Sequence, residues 1–161
     1  MIFVCVGSRP YQFNRLFEEL DRLVESGRVK SEVFAQIGAS TYEPESFPFE
    51  RFLDPDAFEA KVAESDIVIS HGASGSIMSA LNAGKGVIAV ARLQEYGEHI
   101  NDHQVGINET LGEEGLVLNV KDMSDLGGAI EAMESGAVEL KAWRNDNPTA
   151  IVDAIDRFIQ E

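Results

Sequence analysis

The sequence predicts an α/β domain built on a doubly wound parallel sheet, and three observations carry that prediction. Short, largely apolar runs recur at Ile2–Val6, Glu32–Ile37, Asp66–Ser70 and Gly86–Ala91. Runs of this kind, without strict polar alternation, fit strands that are covered on both faces. Segments with helical periodicity stand between them, and glycine-rich turns punctuate the chain.

The elements follow in order. After the first strand, Gly7-Ser8-Arg9-Pro10 is a turn. Phe13, Leu16, Phe17, Leu20, Leu23 and Val24 then recur at helical spacing, and Gly27 ends that helix. The strand Glu32–Ile37 leads into Gly38-Ala39-Ser40, and Tyr42–Pro48 is loop. Phe49–Leu53 reads as a short strand. Asp54-Pro55 is a helix-start signal, with Asp as N-cap and Pro at the first position. Beyond the strand Asp66–Ser70 comes the loop His71–Ser76, then a helix from Ile77 to Asn82 that Gly84 closes. The strand Gly86–Ala91 precedes a helix over Asn101–Leu111 and a strand over Gly115–Val120, and further helices fit Ser124–Glu134 and Thr149–Ile159. No repeat or composition shift divides residues 1–161, so one domain is expected.

Composition narrows the partners. The formal net charge of −15 would repel nucleic-acid phosphates and anionic lipid headgroups, so neither is an expected partner through broad electrostatics. No stretch reaches the roughly 20 apolar residues of a membrane span, so direct membrane insertion is not expected either. The chain opens on a strand with no basic flank, unlike a signal peptide, and its single cysteine, Cys5, suits a reducing, cytoplasmic setting. A small phosphorylated ligand remains compatible with the acidity, because helix N-termini hold phosphate locally.

Two loops at expected strand ends carry unusual residues. In His71-Gly72-Ala73-Ser74-Gly75-Ser76, small residues allow close backbone approach and the loop feeds a helix N-terminus, which favours an anion. It is neither a Walker A loop nor a GxGxxG fingerprint. It reads equally as a tight turn with a serine cap. The second loop is Gly97-Glu98-His99-Ile100-Asn101-Asp102-His103-Gln104, and all three histidines of the chain lie in these two motifs. It could hydrogen-bond a hydroxyl-rich ligand, or be a solvated loop, or a helix cap. His99 and His103 are spaced for a metal but lack a third ligand and the HExxH glutamate, so no metal is expected. A hydrolase using His71 with Ser74 or Ser76 stays open, although the G-x-S-x-G elbow is missing.

Together these residues resemble the C-terminal-domain family of glycosyltransferase family 28. The likeness runs through Ile2–Ser8, Phe13-Asn14-Arg15-Leu16, Gln36-Ile37-Gly38, Phe52-Leu53, Ala63–Gly75, Ala80-Leu81, Gly84-Lys85 and Gly97–Gln104. It is strongest to free-standing members, the small catalytic subunits of split UDP-sugar transferases of the dolichol-linked GlcNAc and exopolysaccharide or capsule types.

The resemblance implies a Rossmann-like fold that forms the donor-binding half of a GT-B glycosyltransferase. It implies inverting transfer of a hexose from a UDP-sugar to a lipid-diphosphate-linked acceptor. A membrane-anchored partner subunit would bind that acceptor and recruit this chain to the cytoplasmic membrane face. No cofactor is implied, the UDP-sugar being a substrate. By position, Gly7 and Ser8 would face the cleft and the donor phosphates, Leu53 the uracil, and Ser74, Gly75 and Ser76 the diphosphate, with His71 and Gly72 also among the donor-binding residues. Glu98, His99, Asp102 and Gln104 would meet the sugar, with His99 or Glu98 as candidate base. Many members carry Glu at the position of Ser79 to grip the ribose; here that grip must come from elsewhere or be weaker. Also open is a non-catalytic nucleotide-sugar-binding module.

Overall fold

The computed structural model of the chain describes residues 1–144, 149, 152, 153, 155 and 156. Its elements are β1 (Ile2–Cys5), α1 (Asn14–Glu25), β2 (Val33–Gln36), β3 (Phe49–Glu50), α2 (Pro55–Glu64) and β4 (Ile67–Ser70). These are followed by α3 (Ser74–Asn82), β5 (Gly86–Val90), α4 (His103–Glu113), β6 (Leu118–Val120) and α5 (Leu126–Ser135). The helix expected over Thr149–Ile159 lies largely outside the described residues.

All six strands pair in parallel in the order β3-β2-β1-β4-β5-β6. Parallel neighbours need crossover helices, and the apolar alternation within β1 shows where they pack. Ile2, Val4 and Val6 join the core beneath α1 and α5, with Leu16, Leu20, Leu126 and Ile130. Phe3 and Cys5 face the opposite core, with Val62 of α2, Ile77 and Leu81 of α3, and Leu111 of α4. The doubly wound expectation therefore holds. The order reverses between β1 and β4, and ligands of open α/β sheets bind at the carboxyl ends of the strands beside such a reversal.

Element boundaries moved at two informative places. The loop expected over His71–Ser76 ends at Ala73, because Ser74-Gly75-Ser76 already forms the first turn of α3. The helix expected from Asn101 begins at His103, while Gln94–Tyr96 forms a single 3-10 turn within the preceding loop.

Candidate functional site

Two helices on the same face of the sheet begin in opposite ways. At α2, Asp54 is the N-cap and its carboxylate accepts the Ala57 N–H at 2.8 Å. At α3 the N-cap is Ala73, whose methyl group accepts nothing. Nor does a serine cap the turn. Ser76 Oγ donates back to the Ala73 carbonyl at 3.1 Å and shares a 2.8 Å hydrogen bond with Ser70 Oγ. The first-turn amides of α3 thus carry no side-chain cap, at a terminus that bears about half a positive charge. Gly75 stands in that turn with nothing within 4 Å of where a Cβ would be. This is the local construction of an anion site.

The α3 terminus opens onto a cavity of about 320 Å³ beside the β1/β4 reversal. Gly7, Ser8, Leu53, His71 and Ser76 line it together, joined by Gln36, Phe58 and Glu59. Gly7 has a φ of 73°, and a Cβ there would come within 2.9 Å of His71 Nε2, so glycine is required for the imidazole to sit against the backbone. Gln36 and His71 are buried, and Gln36 Oε1 and His71 Nδ1 have no hydrogen-bond partner. Buried polar atoms are normally paired, so unpaired ones on residues that line a cavity mark a place for a polar ligand or water. A larger groove of about 780 Å³ lies between α4, β6 and α5. Its lining carries Glu109, Glu113 and Asp125 against the single Lys121 and contains none of the unpaired buried atoms. We therefore place the candidate site at the smaller cavity.

His71 is only 3% exposed, and burial pushes its pKa from 6.5 down to about 3, with the positive charges of Arg92 and His99 adding to the effect. A neutral imidazole that resists protonation is a poor base, and neither hydrogen bond of Ser76 goes to His71. Ser74 is exposed on the first turn of α3. The geometry supplies no activated serine, so the hydrolase alternative loses its support.

The polar side chains of the second motif are taken up by its own loop and by α1. Glu98 is 1% exposed; its carboxylate binds Arg15 at 2.5 and 3.0 Å and accepts the Leu93 N–H at 2.8 Å. As a candidate base it is thereby displaced, because proton abstraction would require breaking a buried ion pair. Asp102 accepts the Gln94 N–H at 2.7 Å, and buried Gln104 accepts the Arg92 N–H at 3.1 Å. Both stand outside the cavity lining. His99 is half-buried, its ring 4.9 Å from that of Tyr11 and its Nδ1 3.2 Å from Asn101 Oδ1. It is held in place without being buried, which suits a group presented to a cleft. Gly72 is not part of the cavity lining and has a φ of 91°, where a Cβ would strike Asn108 Oδ1 at 2.6 Å.

Sequence reasoning missed four residues here. Arg92 is almost fully buried, donates to the Tyr11 carbonyl at 2.9 Å, and leaves Nε and Nη1 unpaired. Desolvation lowers its pKa to about 10, against the pull of Glu98. Asn108 is buried with both amide atoms unpaired, and Arg15 anchors Glu98. Glu59 enters the cavity from α2. Their signals lay in contacts across the sequence, up to the 83 residues that separate Arg15 from Glu98.

A family model described as glycosyltransferase family 28 C-terminal domain matches residues 1–158. The human UDP-N-acetylglucosamine transferase subunit ALG13 is 34% identical over 85 residues, covering 50% of this chain and 7% of that protein. The chain thus spans a small part of that relative's length. Among solved structures, the NMR structure of ALG13 superposes with a TM-score of 0.61 at 17% identity, covering 96% of each chain. The crystal structure of Acinetobacter baumannii MurG gives 0.59 at 15% identity, covering 98% of this chain and 49% of that one. At these identities the superpositions speak for the fold, the Rossmann-like half of GT-B glycosyltransferases.

Proposed function

The chain belongs to the glycosyltransferase family 28 C-terminal domain family, and on that premise we propose that it is the donor-binding subunit of a split inverting glycosyltransferase. It holds a UDP-sugar and moves the hexose to a lipid-diphosphate-linked acceptor in polysaccharide or glycolipid synthesis. The observation that carries the reading is the uncapped N-terminus of α3 opening on a cavity at the β1/β4 reversal. Diphosphate oxygens lie against the first-turn amides, beside Ser74, Gly75 and Ser76. Leu53 and Phe58 give the apolar surface a base needs, and Gly7 and Ser8 line the same cavity. As the glycosidic bond breaks, charge grows on the departing diphosphate, and fixed amides stabilise it without reorganising.

The acceptor and the other half of the cleft come from a membrane-anchored partner subunit. Recruitment to the cytoplasmic membrane face runs through that partner; among the described residues no helix is long and apolar enough to cross a membrane. The partner meets the edge carrying Gly7–Arg9 and Gly97–Gln104, where Tyr96 and Ile100 are more than half exposed. His99 faces the reacting sugar from this edge. It is the candidate base on this chain, alongside any base of the partner.

Positioning supplies much of the rate in a bimolecular transfer, on the order of 7–11 kcal/mol in favourable cases. The isolated chain should therefore bind UDP-sugar yet transfer negligibly until the acceptor-binding subunit is added. His99→Ala should depress transfer in the complex more than UDP affinity in the isolated chain. Transfer to a lipid-linked acceptor at a normal enzymatic rate by the purified chain alone would overturn the two-subunit reading.

A further inference from the structure

The half-buried His99 ring is held at two places. Its centroid lies 4.9 Å from that of the Tyr11 ring. Tyr11 is itself tied down, because Arg92 Nη2 donates to its carbonyl at 2.9 Å. On the other contact, His99 Nδ1 stands 3.2 Å from Asn101 Oδ1. The stacked ring fixes where the imidazole sits, and the amide decides which of its nitrogens carries the proton.

Asn101 can play only one part in that contact. The same Oδ1 accepts the His103 N–H at 3.2 Å, at the start of α4. A backbone N–H can only donate, so the side-chain atom it meets is the amide oxygen and not the amide nitrogen. This local turn anchors the oxygen to the helix start. The oxygen has two lone pairs and no hydrogen, so the imidazole nitrogen facing it must carry one. Neutral His99 is then the Nδ1–H tautomer, and its Nε2 presents a lone pair. Among the described residues no hydrogen bond reaches Nε2.

We propose that Asn101 is the positioning residue of His99, holding it as the Nδ1–H tautomer so that Nε2 receives the proton in transfer. This rests on the reading of His99 as a base above. In that step the acceptor hydroxyl gives its proton to Nε2, and its oxygen pair forms the new bond to the sugar carbon. The bond from that carbon to the diphosphate breaks, and its electron pair leaves with UDP. In the opposite tautomer Nε2 would already carry a hydrogen and could not accept one. Asn101 acts through the imidazole alone.

The test pairs nitrogen NMR of the full chain with turnover by the chain and its acceptor-binding partner. The ring signals of His99 are identified by their loss in His99→Ala, and spectra and rates are taken at one pH at which the ring is neutral. The unchanged chain should show a protonated Nδ1 and a bare Nε2. Asn101→Ala should mix the two tautomers and lower kcat about tenfold, the scale of one oriented hydrogen bond, with KM for the UDP-sugar unchanged. Asn101→Asp keeps an acceptor oxygen in place and should retain both the tautomer and most of kcat. If Asn101 serves only to start α4, Asn101→Ala will lower stability without moving the tautomer, and that result overturns the assignment. A tautomer that moves with kcat unchanged overturns it as well, and so does a protonated Nε2 in the unchanged chain. Transfer left intact by His99→Ala would remove the base reading and this role together, whereas a loss there with no effect of Asn101→Ala removes this role alone.

Discussion

The loops after β4 and β5 both looked chemical in the sequence, yet they dispose of their polar atoms in opposite ways. The motif Gly97–Gln104 after β5 has its polar side chains engaged: Glu98 with Arg15 of α1 and the Leu93 N–H, Asp102 with the Gln94 N–H, Gln104 with the Arg92 N–H, and His99 with Asn101, although Arg92 at the head of that loop keeps Nε and Nη1 unpaired. The loop after β4 is left wanting. Ala73 cannot cap α3, and His71 Nδ1 is buried without a partner. A dense polar motif can thus be architecture, whereas a sparse one made of small residues can be the ligand site. Between the motifs His71–Ser76 and Gly97–Gln104, an unpaired buried side-chain atom occurs only in the first, and residue types alone do not show it.

The largest effect expected from breaking this contrast is in the saturated loop. Glu98→Ala would leave Arg15 and the Leu93 N–H facing a buried void, and breaking a buried pair in this way costs about 3 kcal/mol. Urea denaturation should show that loss. At temperatures where the variant stays folded, UDP affinity of the isolated chain should hold within about twofold, since Glu98 lies outside the cavity. A drop in UDP affinity with unchanged stability would reverse the assignment of the two loops.

The complementary change is Gly75→Val. The position is open, so the side chain fits and stability should change by no more than about 0.5 kcal/mol, the range of ordinary surface substitutions. The same side chain would stand over the first-turn amides and keep a phosphate from approaching. UDP affinity should fall by about a hundredfold, equivalent to roughly 2.7 kcal/mol. Calorimetry beside a denaturation curve reads both quantities, and unchanged affinity in a folded variant would move the phosphate site elsewhere.

The sheet was legible because its strands are buried on both faces: Ile2–Cys5, Ile67–Ser70 and Gly86–Val90 stand out as apolar runs without any knowledge of their partners. Asp54-Pro55 announced α2 for an equally local reason, one side chain bonding an amide three residues on. The start of α3 was misplaced because Ser74, Gly75 and Ser76 are poor helix formers, and packing of Ile77 and Ala80 overrides their propensity. The loop His71–Ser76 stood out by its small residues, which read equally as an anion site and as a tight turn. Glu98 was misread as catalytic because its partner, Arg15, stands on α1. Glu59 was invisible for the same reason: on α2 alone it is one more exposed acid, and only the packing of α2 on α3 brings it to Ser79 and the cavity.

A smaller effect, in pH, separates the buried histidine from the half-exposed one. His71 has a folded pKa of about 3 against an ordinary 6.5, so between those values the unfolded chain binds the proton and the folded chain does not. Stability from this group is complete above about pH 6.5 and falls as pH drops through that window. Asp21, also held below its ordinary value, adds an acid-side loss of its own. The diagnostic is therefore the difference between the unchanged chain and His71→Gln. The unchanged chain should lose more stability on acidification from pH 6.5, and parallel curves would mean that His71 is solvated in solution.

The smallest expected effect is none at all, and it bears on how the β4 loop holds its ligand. A bridging cation needs several hard oxygen ligands converging on the phosphates. The cavity offers a single carboxylate, Glu59, and Ser79 already occupies one of its oxygens. His71 is buried, and its proton-poor ring is the only imidazole in the lining. Among the described residues no group of three or more His, Cys, Asp or Glu side chains is placed to hold an ion. On the proposed donor-site reading, the phosphate charge is met by the α3 amides and the helix dipole. EDTA should leave UDP affinity of the isolated chain unchanged, and should leave transfer unchanged once the partner is present. Affinity lost in EDTA and restored by Mg²⁺ or Mn²⁺ would show that the uncapped helix does not hold the diphosphate alone. The contrast between the two loops would then have to include a cation site shared with the ligand itself.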